Sequence, residues 1–326
     1  METQITLSKV ARVMKKPNLI HWANLLYALI FTASVLIAVR PGGSPTGEPL
    51  KRVDPAILMI VAQLGGVLLP AVLFIWLTRQ PFSTALKLRR LSFGDGVKCL
   101  LVGLFCWPVV ILQSILSAIL TTTINPEGSP VTDIVTGGGS PWVAFLGIVL
   151  VAPLFEELLF RGVLLGAYEK STGLHSIWLV ALLFGFYHFS LDNLLLPLVV
   201  GLIAGWLAYR TRSIWAGVLA HVGANLLAGL MILLNVLVAS AGAEAAVEST
   251  ATLAPDAIWL SVMLWVGVGL VLLVPVFFFL RSISRQYPAP EQPASRLSLK
   301  TTWSTIPILL GATAYFGYQL LTLIRQ

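Results

Sequence analysis

The chain has 326 residues, 57% hydrophobic and 11% charged, with a mean hydropathy of +0.89 and a formal charge of +7. An ordinary soluble domain carries about 25% charged residues, so this composition excludes a soluble globular fold and indicates an integral membrane protein. In a soluble chain the positive excess would suggest nucleic acid; here the basic residues sit in short loops between apolar segments and read as membrane topology, with no nucleic-acid partner.

Lys9, Arg12, Lys15 and Lys16 precede an apolar run ending near Val39. A cleaved signal peptide is the alternative, but the run exceeds the usual 7 to 15 residues and no small-residue cleavage site precedes Arg40, so an uncleaved first span is expected. Nine segments reach spanning length: 20–39, 55–77, 97–120, 141–165, 174–190, 193–209, 214–236, 257–280 and 303–324. Lipid offers backbone groups no water to bond with, so each must be a helix. The expected fold is an all-α polytopic transmembrane bundle of eight or nine spans. It divides into N-terminal helices (1–140), a central unit (141–236) and C-terminal helices (237–326), with a Pro-rich linker at 286–296 before a peripheral last span.

Alternate loops carry fifteen Lys and Arg on one side against Arg40, Lys51 and Arg52 on the other. The positive-inside rule then puts the N-terminus in the cytoplasm. Cys99 and Cys106 lie seven residues apart in one span, about 10 Å along a helix, too far for a disulfide.

Three charges stand inside the apolar run Ala152 to Gly162: Glu156, Glu157 and Arg161. Each costs roughly 2.5 to 3.5 kcal/mol at the centre of a spanning helix, which makes the cluster a functional-site hypothesis. Glu157 and Arg161 are four apart and can neutralise each other, whereas Glu156 points about 100° away and is left over. His188 lies four residues after Phe184, and His221 four before Asn225, so each pair shares a helix face. A carboxylate in an apolar bundle suits a general base, and histidine and amide donors suit a developing oxyanion. Glu156, His188 and His221 are also competent zinc ligands, although no His-Glu-x-x-His pair supports a metal. The structural alternative for His188, His221 and Asn225 is interhelical hydrogen bonding, and for Glu157 with Arg161 a packing ion pair. His21 and His175 read as interfacial. Asp192 and Asn193 read as a turn, with Asp192 a candidate to orient His188.

At 1.5 Å per residue, Glu156 lies about 14 Å from a cytoplasmic end at 165, and His221 and Asn225 about 10 and 16 Å in. His188 falls about 21 Å deep if its span starts at 174. Starting that helix at 177 or 178, with 162–176 as an interfacial segment, improves the match.

Glu156-Glu157-x-x-x-Arg161, Phe184-x-x-x-His188 and His221-x-x-x-Asn225, in that order, resemble the three motifs of the CAAX protease and bacteriocin-processing (CPBP, or ABI) family of intramembrane proteases. The resemblance covers about residues 141–236. It implies a membrane peptidase with a site open to the cytosol, acting on a membrane-associated peptide or protein. In it Glu156 is the general base assisted by His188, His221 and Asn225 form the oxyanion site, and Glu157 and Arg161 support them. Family members are described both as metalloproteases and as metal-independent glutamate proteases, and some serve bacteriocin immunity, so a non-catalytic membrane scaffold or immunity protein is the second expectation. Phe155 stands where some CAAX-cleaving members have a third acidic residue.

Overall fold

The computed structural model describes residues 19–38, 53–124, 140–189, 191, 193–240, 255–291 and 303–324. The described residues form helices and no strand beyond one isolated bridge between Leu88 and Ser213. In chain order they are α1 (Leu19–Ala38), α2 (Pro55–Leu77), the single turn α3 (Phe82–Ala85), α4 (Phe93–Leu104), α5 (Trp107–Ile124), α6 (Pro141–Thr172), α7 (His175–Phe186), α8 (Leu195–Thr211), α9 (Ile214–Ser240), α10 (Pro255–Gln286) and α11 (Thr305–Ile324). Five stretches are long and apolar enough to cross a membrane, and four shorter apolar helices accompany them. The protein is a multi-pass integral membrane bundle. The short break between α4 and α5 precedes Pro108, which has no N–H to offer the carbonyl of Leu104.

α6 is the axis. Asp54 caps α2 through the Ala56 N–H and also accepts from the Ser140 N–H at 2.7 Å, tying the starts of α2 and α6 together. Both helices widen into π-turns, at Leu64–Leu68 in α2 and at Gly147–Val151 and Leu158–Leu164 in α6. Pro70 and Pro153 follow two of these, and a π-turn is one way to seat a proline inside a helix that must keep its other backbone groups bonded. α9 crosses α4 backbone to backbone: a Cβ on Gly103 would lie 1.7 Å from the carbonyl oxygen of Ala220, and one on Gly223 2.1 Å from that of Leu100.

One expectation is corrected. The polar stretch 166–172, read as a loop, is the last turns of α6, buried at Ala167, Tyr168 and Thr172 and ended by Gly173 at φ 55°. The helix continues because Glu169 is paired with Lys87 and Arg212. Measured from Thr172, Glu156 is about 24 Å in, and His188 is about 20 Å from the start of α7, so their depths agree without an interfacial segment at 162–176.

The last span, expected to be peripheral, lies at the edge of the bundle with Leu310, Tyr318 and Leu321 exposed, and is tied to it by hydrogen bonds. Tyr315 and Gln319 donate to the carbonyl of Phe189, Gln319 accepts from the Leu191 N–H, and Ser304 and Thr305 bond to His21 and Asn24 of α1. From α5, Gln113 serves the same turn through Asn193 and the Leu196 N–H. Irregular backbone at membrane depth survives only when protein groups satisfy it, and α5 and α11 do that for the turn after His188. Asp192, Lys9, Arg12, Lys15, Lys16, Arg40 and the linker beyond 291 lie outside the described residues.

Candidate active site

Glu156 and Glu157 occupy the short α-helical piece Ala152–Glu157 between the two π-turns of α6. Glu157 is fully buried, and its Oε1 lies 2.7 Å from Nη1 of Arg161, also fully buried. The guanidinium donates to the carbonyl of Gly201 in α8 and lies 4.7 Å over the ring of Phe184 in α7. His221 places its Nδ1 3.0 Å from the same Glu157 oxygen. A carboxylate only accepts, so this contact puts a proton on Nδ1 and turns Nε2 toward Glu156, 3.9 Å from its Oε2.

The spacing of 3.9 Å is too long for a direct hydrogen bond. A single water, at about 2.8 Å from each atom, can bond to both. Glu156 keeps 5% exposure against none for Glu157, so it is the carboxylate of the two within reach of water. Its other oxygen accepts from Nε2 of Gln63 in α2 at 2.8 Å.

Asn225 donates to the carbonyl of Ile148 at 3.0 Å. The π-turn frees that carbonyl: the Ala152 N–H, its normal α-helical partner, bonds to Gly147 instead. A second amide proton remains on Asn225. His188 bonds through Nδ1 to the carbonyl of Phe184, which takes up that nitrogen and not Nε2. The Phe184 ring stands edge-on to both histidines, at 5.0 Å from His188 and 5.4 Å from His221. His188 makes no direct bond to Glu156, although the charges of Glu156, His221 and Arg161 all act on it. Thus Glu157 joins Arg161 and His221, Glu156 lies 3.9 Å from His221, Asn225 is fixed one turn along from His221, and His188 meets the group through the Phe184 ring.

Two participants were not singled out from the sequence. Gln63 is the only polar side chain in Pro55–Leu77, and that isolation was the available signal. Gly217, one turn before His221, makes room for Glu157: a Cβ there would lie 2.5 Å from Oε2. Among the described residues no group of three or more His, Cys, Asp and Glu is arranged to hold a metal ion. These bonds take up His221 Nδ1, His188 Nδ1 and Glu156 Oε1, and leave Glu156 Oε2 and the Nε2 of both histidines as the atoms through which the expected zinc set Glu156, His188 and His221 would have to bind.

Comparison with known proteins agrees at the level of the family. Residues 138–227 match the family model described as Type II CAAX prenyl endopeptidase Rce1-like. The chain is similar to "Putative membrane peptidase YdiL" of Bacillus subtilis (strain 168), 26% identical over 217 residues that cover 63% of this chain and 86% of that protein. No solved structure matches. The two matches support the CPBP family and, with it, a membrane peptidase.

Proposed function

We propose, on the premise of a CPBP-family membrane peptidase, that the protein is an intramembrane endopeptidase that hydrolyses a peptide bond in a membrane-associated peptide or protein reaching the site from the cytoplasmic side. The observation that carries this reading is Glu156, a buried carboxylate without its own cation, 3.9 Å from the Nε2 of a histidine whose other nitrogen is held by Glu157.

In this reading a water between Glu156 and His221 attacks the scissile carbonyl carbon, and Glu156 takes its proton. His188 helps to orient that water. The carbonyl oxygen becomes an oxyanion that accepts from the second Asn225 N–H and, in its imidazolium form, from His221 Nε2. As the intermediate collapses, Glu156 returns the proton to the leaving nitrogen and the C–N bond breaks, giving a carboxylic acid and an amine, and transfer of the acid proton to the amine leaves a carboxylate and an ammonium. Glu157 and Arg161 hold His221 in register and touch no substrate. No step passes through a metal. The family-model description makes a prenylated CAAX tail one candidate substrate, while Phe155 favours testing unprenylated tails beside it.

The test uses full-length protein in liposomes and a library of membrane-anchored peptides with and without a farnesylated CAAX end. The wild type should cut a subset, in the presence of a zinc chelator as well as without it, and Glu156→Gln should lose that activity about 10²- to 10⁴-fold. Cleavage by Glu156→Gln at the wild-type rate contradicts the proposal. A library left uncut throughout favours a non-catalytic scaffold or immunity protein.

A further inference from the structure

At the far end of α6 from Ser140, a second charged site stands where α2 and α8 end and α9 begins. Lys87 and Arg212, on different segments, both adopt the left-handed conformation, φ 49° and 56°, which a residue with a side chain rarely takes. The bridge between Leu88 and Ser213, the Ile214 N–H on the Lys87 carbonyl and the Ser213 hydroxyl on the Arg89 carbonyl hold the two segments together. The result aims both cations at one carboxylate: Glu169 lies 2.9 Å from Lys87 and 3.0 Å from Arg212. One negative charge is shared by two positive ones.

These residues line a cavity of about 280 Å³ that also takes in Arg89 and Lys170, so four cations face a single carboxylate. Lys87 forms its buried floor at 8% exposure, while Arg89, Lys170 and Arg212 are an exposed rim. Ser83 and Thr84 also line it. Burial first, and then repulsion from Arg212 and Lys170, push the Lys87 ammonium below its usual range against the pull of Glu169. Its positive charge is therefore only partly compensated in a place where water cannot finish the task. Phe82 and Leu88 expose apolar surface on the same loop, at 45% and 42%. A cationic cavity at the ends of helices long enough to span a membrane, edged by apolar side chains, has the charge and the surroundings that suit an anionic lipid headgroup.

We infer that this cavity is a phosphate-binding site whose ligand is the headgroup of an anionic phospholipid. Lys87 and Arg212 meet the phosphate beside Glu169, Arg89 and Lys170 close over it, Ser83 and Thr84 donate to its oxygens, and Phe82 and Leu88 lie along the acyl side. The site is separate from the peptidase cluster and does not depend on that assignment.

The test compares retention of phosphatidylglycerol and phosphatidylcholine by the full-length protein in native mass spectrometry, and its melting temperature in neutral detergent with either lipid or with inorganic phosphate. The wild type should retain phosphatidylglycerol preferentially and melt higher with it. Arg89→Gln with Lys170→Gln, outside the Glu169 pairing, should weaken that binding roughly 30-fold while melting like the wild type without lipid. Lys170→Gln alone, at roughly fivefold, serves if the double variant folds poorly because Arg89 also lies over the Tyr287 ring. Glu169→Gln should bind phosphatidylglycerol more tightly than the wild type. Equal effects of inorganic phosphate and of the lipid would uphold a phosphate site but assign it to a soluble ligand. Equal retention of both lipids, or unchanged preference in the charge variants, overturns the inference.

Discussion

Two charge clusters share the helix α6, their central carboxylates Glu157 and Glu169 twelve residues apart, and they are near mirror images in charge. Around Glu157, one arginine serves two carboxylates, and the excess is negative and sits on Glu156. Around Glu169, one carboxylate serves two cations, and the excess is positive and faces a cavity. A purely structural ion pair would close on itself, because an uncompensated charge in a low dielectric costs several kcal/mol. Each cluster instead leaves a charge over, and its sign names the chemistry available: a base for a proton in one, a seat for an anion in the other.

The comparison breaks most readily at Arg161. Replacing it with Met leaves Glu157 buried without its cation, at a cost of about 3–5 kcal/mol. We expect little monodisperse protein and a markedly lower melting temperature; near wild-type melting would mean that Glu157 is not held as a charge. Gly217→Ala sharpens the same point at a smaller scale. Its new Cβ meets Glu157 Oε2 at 2.5 Å, an overpacking cost of about 1–3 kcal/mol, and the shift passes to His221. Cleavage should fall along with stability, whereas Gly65→Ala, where a Cβ meets nothing within 4 Å, should cost neither. The smallest effect is expected at the mirror position: Arg212, with its side chain 43% exposed, should cost about 0–1 kcal/mol when changed to Gln. A loss as large as that of Arg161→Met would show that the two clusters are equally structural.

Much of the cluster around Glu156 and Glu157 was legible because it depends on spacing along helices. Residues four apart share a face, so Glu157 with Arg161 and His221 with Asn225 could be paired before any tertiary information. The site's support was harder to read. Single amides in otherwise apolar spans, Asn24, Gln63, Gln113 and Gln319, each bond to another helix or turn, but nothing in a sequence states which one. The frame at 166–172 failed for a physical reason: a polar run reads as a loop unless its charges are neutralised, and the partners of Glu169 come from 82 residues before it and 43 after it. The π-turn Gly147–Val151 that frees the Ile148 carbonyl for Asn225 precedes Pro153, and spacing rules built on 3.6 residues per turn do not register it.

The most direct test of the account is a crossed comparison of two isosteric changes on adjacent residues, Glu156→Gln and Glu157→Gln, each measured for peptide cleavage in liposomes and for melting in detergent. Glu156→Gln should melt like the wild type and lose cleavage. Glu157→Gln should lower the melting temperature, because Arg161 is left buried without its counter-charge. If the two exchange behaviours, with Glu157→Gln stable and inactive and Glu156→Gln active and destabilised, the leftover carboxylate has been assigned to the wrong residue.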